Sequence, residues 1–386
     1  MRAYNERLVL SLVRRHGSLA KSEIARLTGL SAQTVSVIMR ALEAENLLVR
    51  GAPQRGRVGQ PSVPLSLNPD GVFSLGLKIG RRSADLVLMD FSGEIRQAIH
   101  EAFAYPVPNE ILRFAAEGVG QLEASLPGPL RKRLGGLGVA TPFELWNWAE
   151  EVGAPADTMD GWRTFDIVHE LGELIDMPVY VQNDATAACG AELVFGRGGD
   201  FTDFIYFFVG SFVGGGIVLN GSLYSGRTGN AGALGSMPVP GPNGRPAQLI
   251  DSASIVVLER MMKAAGIDPS GLWLSPDDWS GVGGEMLLDE WIAQAAKSLA
   301  HATAAACAII DFEAVILDGG FPVAVRSRLA DALRSELGRL DLQGIDVPQV
   351  AEGAVGSKAR AIGGASLPLF ERYLLDQKLL LKGQPN

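Results

Sequence analysis

Only two cysteines, Cys189 and Cys307, occur in 386 residues, and both sit in apolar, alanine-rich surroundings. The chain therefore has neither a disulfide framework nor a Cys-x-x-Cys metal pair, and a reducing compartment fits. It also lacks any uncharged apolar run of about 18 residues, which excludes a bilayer-spanning helix. The opening stretch MRAYNERLVLSLVRRHGS is charged throughout and so does not have the form of a secretory signal. These absences give the expectation of a cytoplasmic protein with no membrane partner.

Glycine, by contrast, is abundant, with 47 residues, but the glycines stand in short turns between apolar runs and form no low-complexity tract. That is the pattern of an α/β protein with many tight turns. The length implies two or three domains, each able to bury its own core.

Charge is distributed unevenly. Residues 1–70 hold ten Lys and Arg against five Asp and Glu, a net +5 that leaves −14 on the remainder of a chain whose total is −9. A small basic head on a large acidic body is the asymmetry expected when one end meets a polyanion.

The head reads as three short helices. In NERLVLSLVRRHG, Leu8 and Leu12, and Val9 and Val13, recur at i,i+4, and the helix ends near Gly17. KSEIARLTGL places Ile24 and Leu27 on one face and stops at Gly29, a good residue for a left-handed helix end. Ser31 is then placed to N-cap a third helix, AQTVSVIMRALEAENL. At about 100° per residue, Val35, Ile38 and Leu42 share its inner face, while Gln33, Ser36 and Arg40 cluster on the outer one.

Such an arrangement is a helix-turn-helix whose last helix enters the major groove. Gln33, Thr34, Ser36 and Arg40 are the candidate DNA contacts, with Gln33 and Ser36 facing base edges. Two β-like runs, Leu47–Arg50 and Val63–Leu67, flank a Gly/Arg/Pro-rich tip and read as a wing. Its Arg55 and Arg57 are candidates for phosphate or minor-groove contact. A three-helix module can also serve as a protein adaptor, but polar outer face, basic wing and local charge together favour a double-stranded DNA operator.

From Phe73 the pattern changes to apolar strand-like runs ending in Gly or polar loops: FSLGLKIG, SADLVLMD, GEIRQAIHEAF, then LGGLGVATP, MPVYVQNDATAACGAELVFG, DFIYFFVGSFVGGGIVLNGSLY and FEAVILDGGFP, with helical segments between them. This is an α/β body with two similar halves.

The combination LGLKIG, LVLMDFSGEI, PVYVQNDATAA, GGGIVLNGSLY and AVILDGGFP, in this order, resembles the ROK family of sugar kinases and repressors. The resemblance runs over essentially the whole chain, since ROK repressors carry a winged helix-turn-helix before the kinase-like body. It implies an actin-like ATPase (sugar kinase-like) fold: a winged head over 1–70, a first α/β lobe over 71–182 and a second over 183–386, whose C-terminal helix is free to return to the first lobe. It further implies that Asn183 and Asp184 are the family's sugar-binding pair, Asp184 standing at the position of the catalytic base. An Asn-Asp pair before a helix can equally serve as its cap. Asp251 is the counterpart of an acidic residue that closes the sugar site.

Several positions depart from the kinase pattern. Where the resemblance implies an Asp and a Gly-Gly-Thr turn, this chain has Lys78 and Gly80-Arg81-Arg82, and a lysine cannot organise Mg²⁺, which takes oxygen ligands. Phe212 stands where a small residue is usual. Ala233 and Ser236 replace a glutamate and a histidine, and Pro246 and Gln248 fall where zinc-binding cysteines belong, so neither zinc nor ATP is expected as a cofactor. Trp146, Trp148 and Trp162 precede the Asn-Asp pair and are candidates for stacking on a sugar face or for the core, the core being favoured for Trp162.

The sequence thus leads to the expectation of a non-enzymatic, sequence-specific DNA-binding regulator, a repressor of carbohydrate uptake or catabolism genes, acting as a homodimer or homotetramer with a sugar or sugar-derivative effector in the interlobe cleft. The rivals are a ROK-type sugar kinase with an accessory DNA-binding head and a regulator controlled by a protein partner.

Overall fold

The structure, a computed structural model, describes residues 2–53, 63–143, 145–149, 153–241 and 245–375. Its head is built from α1 (Arg2–His16), α2 (Lys21–Thr28) and α3 (Ala32–Ala44). Gly29 ends α2 at φ 70°, and the Ser31 side chain accepts the Thr34 N–H at the start of α3. Both boundaries follow from residue chemistry: glycine adopts the left-handed turn without a Cβ clash, and the serine oxygen satisfies an otherwise orphaned amide.

The wing strands are β1 (Leu48–Arg50) and β2 (Leu65–Leu67), antiparallel with Leu48 opposite Leu67. They are shorter than the apolar runs suggest. Leu47 still donates its N–H to Leu42 of α3, and Pro64 has no N–H to give to a ladder. Arg55 and Arg57 lie outside the described residues.

The body holds two five-stranded sheets of the same topology. The first comprises β3 (Phe73–Ile79), β4 (Ser83–Asp90), β5 (Ile95–Ala102), then α4 (Pro108–Ser125), β6 (Leu134–Thr141), α5 (Ile167–Leu174) and β7 (Val179–Asn183), in the order β5-β4-β3-β6-β7. After α6 (Asp184–Phe195), the second comprises β8 (Phe204–Val209), β9 (Val213–Leu219) and β10 (Ser222–Tyr224). A small ribbon of β11 (Pro238–Pro240) and β12 (Pro246–Gln248) and the helices α7 (Ile255–Ala264) and α8 (Glu285–Cys307) follow. The sheet is completed by β13 (Ala314–Gly319), α9 (Val323–Leu337) and β14 (Gln349–Glu352), in the order β10-β9-β8-β13-β14. In each sheet the first three strands form an antiparallel meander and the last two run parallel to the first.

Strand alternation divides the first sheet into two faces. Phe73, Leu75 and Leu77 join Leu86 and Leu88 under α4 and α5; Val87 and Met89 point the other way, into a core shared with the head and with the last helix, α10 (Ala359–Arg372). That shared core includes Val9, Val13, Ile24, Val35 and Met39 from the head and Ala361, Ala365 and Leu369 from α10. Burying each large aliphatic side chain contributes roughly 1.5–3 kcal/mol, so head and body are joined by packing and not merely tethered. The C-terminal helix does pack on the first sheet, against β3, β4, β6 and β7, as well as on α6.

Glycine makes this packing close. A Cβ on Gly76 of β3 would lie 2.2 Å from Ala361 O, and one on Gly138 of β6 would lie 1.9 Å from Gly364 O. On the other side, a Cβ on Gly363 would lie 2.0 Å from Ala187 O of α6. Gly138→Ala is therefore expected to destabilise the protein by about 1–3 kcal/mol, the usual cost of overpacking, seen as a lowered urea midpoint. An unchanged midpoint would mean that α10 can lift from its seat without cost.

Candidate functional site

The carboxyl ends of the parallel strands of both sheets face one interlobe cleft, the usual place for a ligand in an open α/β sheet. From the first sheet come Lys78 at the end of β3, Pro142 beyond β6, and Asn183 and Asp184 at the junction of β7 and α6; from the second come the Gly210–Val213 turn after β8 and Gly320 after β13. Two cavities result, one of about 280 Å³ around Lys78, Asp85 and His100 and one of about 200 Å³ around Asn183 and Asp184.

Arg81 lines both cavities. Its guanidinium carbon sits 3.2 Å from the centroid of the Trp148 ring and 3.7 Å from that of Phe212. Arg81 and Trp148 belong to the first lobe and Phe212 to the second, so a cation–π stack bridges the cleft; such contacts contribute about 0.5–2 kcal/mol. Of the three tryptophans, Trp148 is the one lining the smaller cavity. Trp162 is core, its Nε1 donating to Pro106 O at 2.9 Å, and Trp146 packs on the first-lobe core.

Asn183 N-caps α6: its Oδ1 accepts the N–H groups of Ala185 and Thr186 at 3.1 and 3.2 Å. Capping and ligand contact are compatible, because the side chain also lines the smaller cavity. Asp184 is buried; its Oδ1 accepts the Ala185 N–H at 2.9 Å and its Oδ2 faces Arg360 Nη1 at 3.2 Å. Ala233 and Ser236 line the same cavity, together with Asn230. Asp251 is placed differently from expectation. It is exposed, is not among the residues lining the cavity, and its Oδ2 accepts the Gln248 N–H at 3.1 Å. The short β11–β12 ribbon directs it to its own backbone.

Lys78 is buried, and its ammonium donates to Ser83 Oγ at 2.7 Å, Ser83 O at 3.2 Å and Asp85 Oδ2 at 2.8 Å. Asp85 Oδ1 meets His100 Nδ1 at 2.5 Å. Burial lowers the Lys78 pKa, with Asp85 opposing that shift. Burial would raise Asp85, but Lys78 and His100 outweigh it and hold the carboxyl well below its ordinary range. A fixed ammonium with its carboxylate already engaged does not fit Mg²⁺, which needs open oxygen ligands. No catalytic step through a metal–nucleotide complex follows from these residues.

His100 is raised above its ordinary value of 6.5 by its hydrogen bond to Asp85, against the opposing effect of burial. Its contribution to stability is therefore complete below about pH 6.5 and is lost as pH rises through the raised value. His100→Asn is expected to flatten the decline in melting temperature that wild type shows on that alkaline side. An equal decline in both proteins would remove His100 as its source.

On the head, Gln33 and Arg40 are exposed on α3, and Ser36 is half-buried between them, its carbonyl accepting Arg40 Nε at 3.1 Å. The Thr34 hydroxyl is engaged by Ser31 Oγ at 2.8 Å. Val37, 49 % exposed, lies on the same outer face; an apolar residue there suits a thymine methyl. Its exposure at a polar face is the signal that sequence reading passed over. Arg360 was also missed, since its sequence surroundings are those of any helical arginine.

Residues 74–250 match the ROK family and residues 4–57 the MarR family. An uncharacterized protein of Sinorhizobium fredii is 26 % identical over 96 % of this chain and 91 % of its own length. The xylose repressor of Bacillus spizizenii is 25 % identical over 61 % of this chain and 60 % of its own length. Among solved structures, a ROK family transcriptional regulator described as a homolog of the E. coli MLC protein superposes with a TM-score of 0.67 at 20 % identity, covering 99 % of this chain and 98 % of that one. The chain thus carries a MarR-family match in its winged-helix head and a ROK-family match over part of its body, and the fold is the sugar-kinase-like, actin-like one of the structures it superposes on.

Proposed function

We propose that the protein is a sequence-specific DNA-binding transcriptional regulator, a repressor of carbohydrate uptake or catabolism genes, whose effector is a sugar or sugar derivative held in the interlobe cleft. The observation that carries this reading is the pairing of a winged head, with Gln33, Ser36 and Arg40 turned outward, with a cleft that keeps Asn183 and Asp184 but has Lys78 bound to Asp85. Asn183 and Asp184 offer an amide and a carboxylate to vicinal hydroxyls. The match to a xylose repressor supports both the operator and the sugar. The protein is proposed to act in the cytoplasm without ATP chemistry. A homodimer or homotetramer would present two heads to a palindromic site, because a two-fold protein reads half-sites about one helical turn apart.

Fluorescence anisotropy on labelled DNA from upstream of its own gene and from other genomic fragments, with and without a panel of sugars and sugar phosphates, tests this. Salt-sensitive, sequence-selective binding altered by one sugar is expected. No selective fragment, together with hexose-dependent ATP consumption, would favour the kinase instead.

Two variants sharpen the reading. Arg40→Ala should weaken binding evenly across sequences and reduce the magnitude of the salt slope by about 1, whereas Gln33→Ala should relax selectivity at one base pair by about 1–3 kcal/mol. Ala233→Trp, which fills the smaller cavity, is expected to abolish the sugar response; a normal response would place the effector elsewhere.

A further inference from the structure

The helices α6 and α10 lie side by side, α6 on the second sheet and α10 on the first. Each begins at the cleft: α6 starts with Asp184, and Arg360 is the second residue of α10. The one direct ion pair recorded between these two helices among the described residues is Asp184–Arg360, at 3.2 Å. It is held by one guanidinium nitrogen. Arg360 Nε is buried without a hydrogen-bond partner among the described residues, and its guanidinium carbon lies 4.9 Å from the Phe208 ring centroid of the second sheet. A pair with an unsatisfied buried donor is poorly matched, and an oxygen-rich ligand reaching Asp184 competes directly for its carboxylate.

Both helices also end at the head. Arg14 of α1 stacks on Phe195, the last residue of α6, at 4.2 Å from the ring centroid, and faces Phe370 of α10 at 5.9 Å. Arg7 of α1 donates to Phe370 O at 2.6 Å and through Nε to Leu374 O at 3.0 Å, while Ser11 Oγ accepts the Leu375 N–H at 2.8 Å. Ten residues of α-helix span about 15 Å, so the cleft ends and head ends of the two helices are joined by rigid rods. Between them, Gly363 rests on the Ala187 backbone with no room for a Cβ.

We propose that Arg360 is the positioning residue that reports occupancy of the cleft to the DNA-reading head. Paired with Asp184 it clamps the cleft ends of α6 and α10 together. A ligand that takes the Asp184 carboxylate releases the clamp, the helices pivot at the Gly363–Ala187 contact, and Phe195 and Phe370 shift beneath Arg14, resetting α1. A ligand with different affinity for the clamped and released arrangements then shifts their populations. This inference rests on the proposed effector reading of the cleft.

The test uses the full-length chain without ligand. Arg360→Met keeps much of the side-chain length and removes the charge; Arg360→Lys keeps a charge, and Asp184→Asn removes the other partner. The relay predicts that Arg360→Met changes operator affinity at least fivefold and speeds amide hydrogen exchange in α1, that Arg360→Lys restores part of both, and that Arg360→Met with Asp184→Asn goes no further than either alone. Circular dichroism melting identifies any variant that does not fold, in which case Arg360→Lys carries the measurement. Wild-type affinity and wild-type α1 exchange in the folded variants would overturn the relay.

A sugar panel then separates the relay from the effector reading. If no sugar alters wild-type operator binding while Arg360→Met does, the sugar reading of the cleft fails and the relay stands. A sugar effect of undiminished size in Arg360→Met leaves the cleft reading in place and overturns the relay.

Discussion

Two helical backbones and two strands meet at α10 with no side chain between them, and the rest of the architecture depends on that contact. Gly76 and Gly138 bring β3 and β6 against Ala361 and Gly364, and Gly363 brings α10 against Ala187 of α6. A helix so seated cannot move relative to one neighbour without disturbing another, because packed interiors resist continuous deformation. The first sheet, the second-lobe helix α6 and the head are thereby linked through one element, and the apolar core running from Val35 and Met39 to Leu369 is the visible result.

Electrostatics gives the cleft a character distinct from a metal–nucleotide site. The Lys78 ammonium sits where its charge is balanced by Asp85, and Asp85 is shared with His100. Nearby, Asp184 is balanced by Arg360. Buried charge is tolerated only when paired and hydrogen-bonded, so the cleft contains cations fixed by the protein itself. A neutral, hydroxyl-rich ligand can exchange hydrogen bonds with such pairs without importing a charge that needs compensation. Arg81, stacked between Trp148 and Phe212, adds an aromatic wall from both lobes.

Much of the head was legible because its signals are local. Gly29 and Ser31 mark helix ends through φ preference and side-chain capping, and both act where the sequence placed them. The wing strands were read too long because a main-chain bond from Leu47 to Leu42 competes with the ladder, a choice that apolar character alone does not reveal. Asn183 was readable either as a cap or as a ligand contact, and the structure makes it a cap that also lines the cavity. Asp251 is expected in the site from the resemblance alone, but the loop before it folds into a ribbon whose Gln248 N–H donates to its carboxylate.

By itself the sequence determined the order of helices and strands, the basic head on an acidic body, the duplicated α/β halves and the lysine at position 78, since each is written in neighbouring residues or in simple periodicity. Only the tertiary structure decided what lies across the cleft from what. Arg360 reaches Asp184 across a sequence separation of 176, and Arg7 reaches Phe370 across one of 363. Such pairs carry no local signature: their geometry is set by where α10 comes to rest, and that depends on glycines in β3, β6 and α10 itself leaving room for backbone to meet backbone.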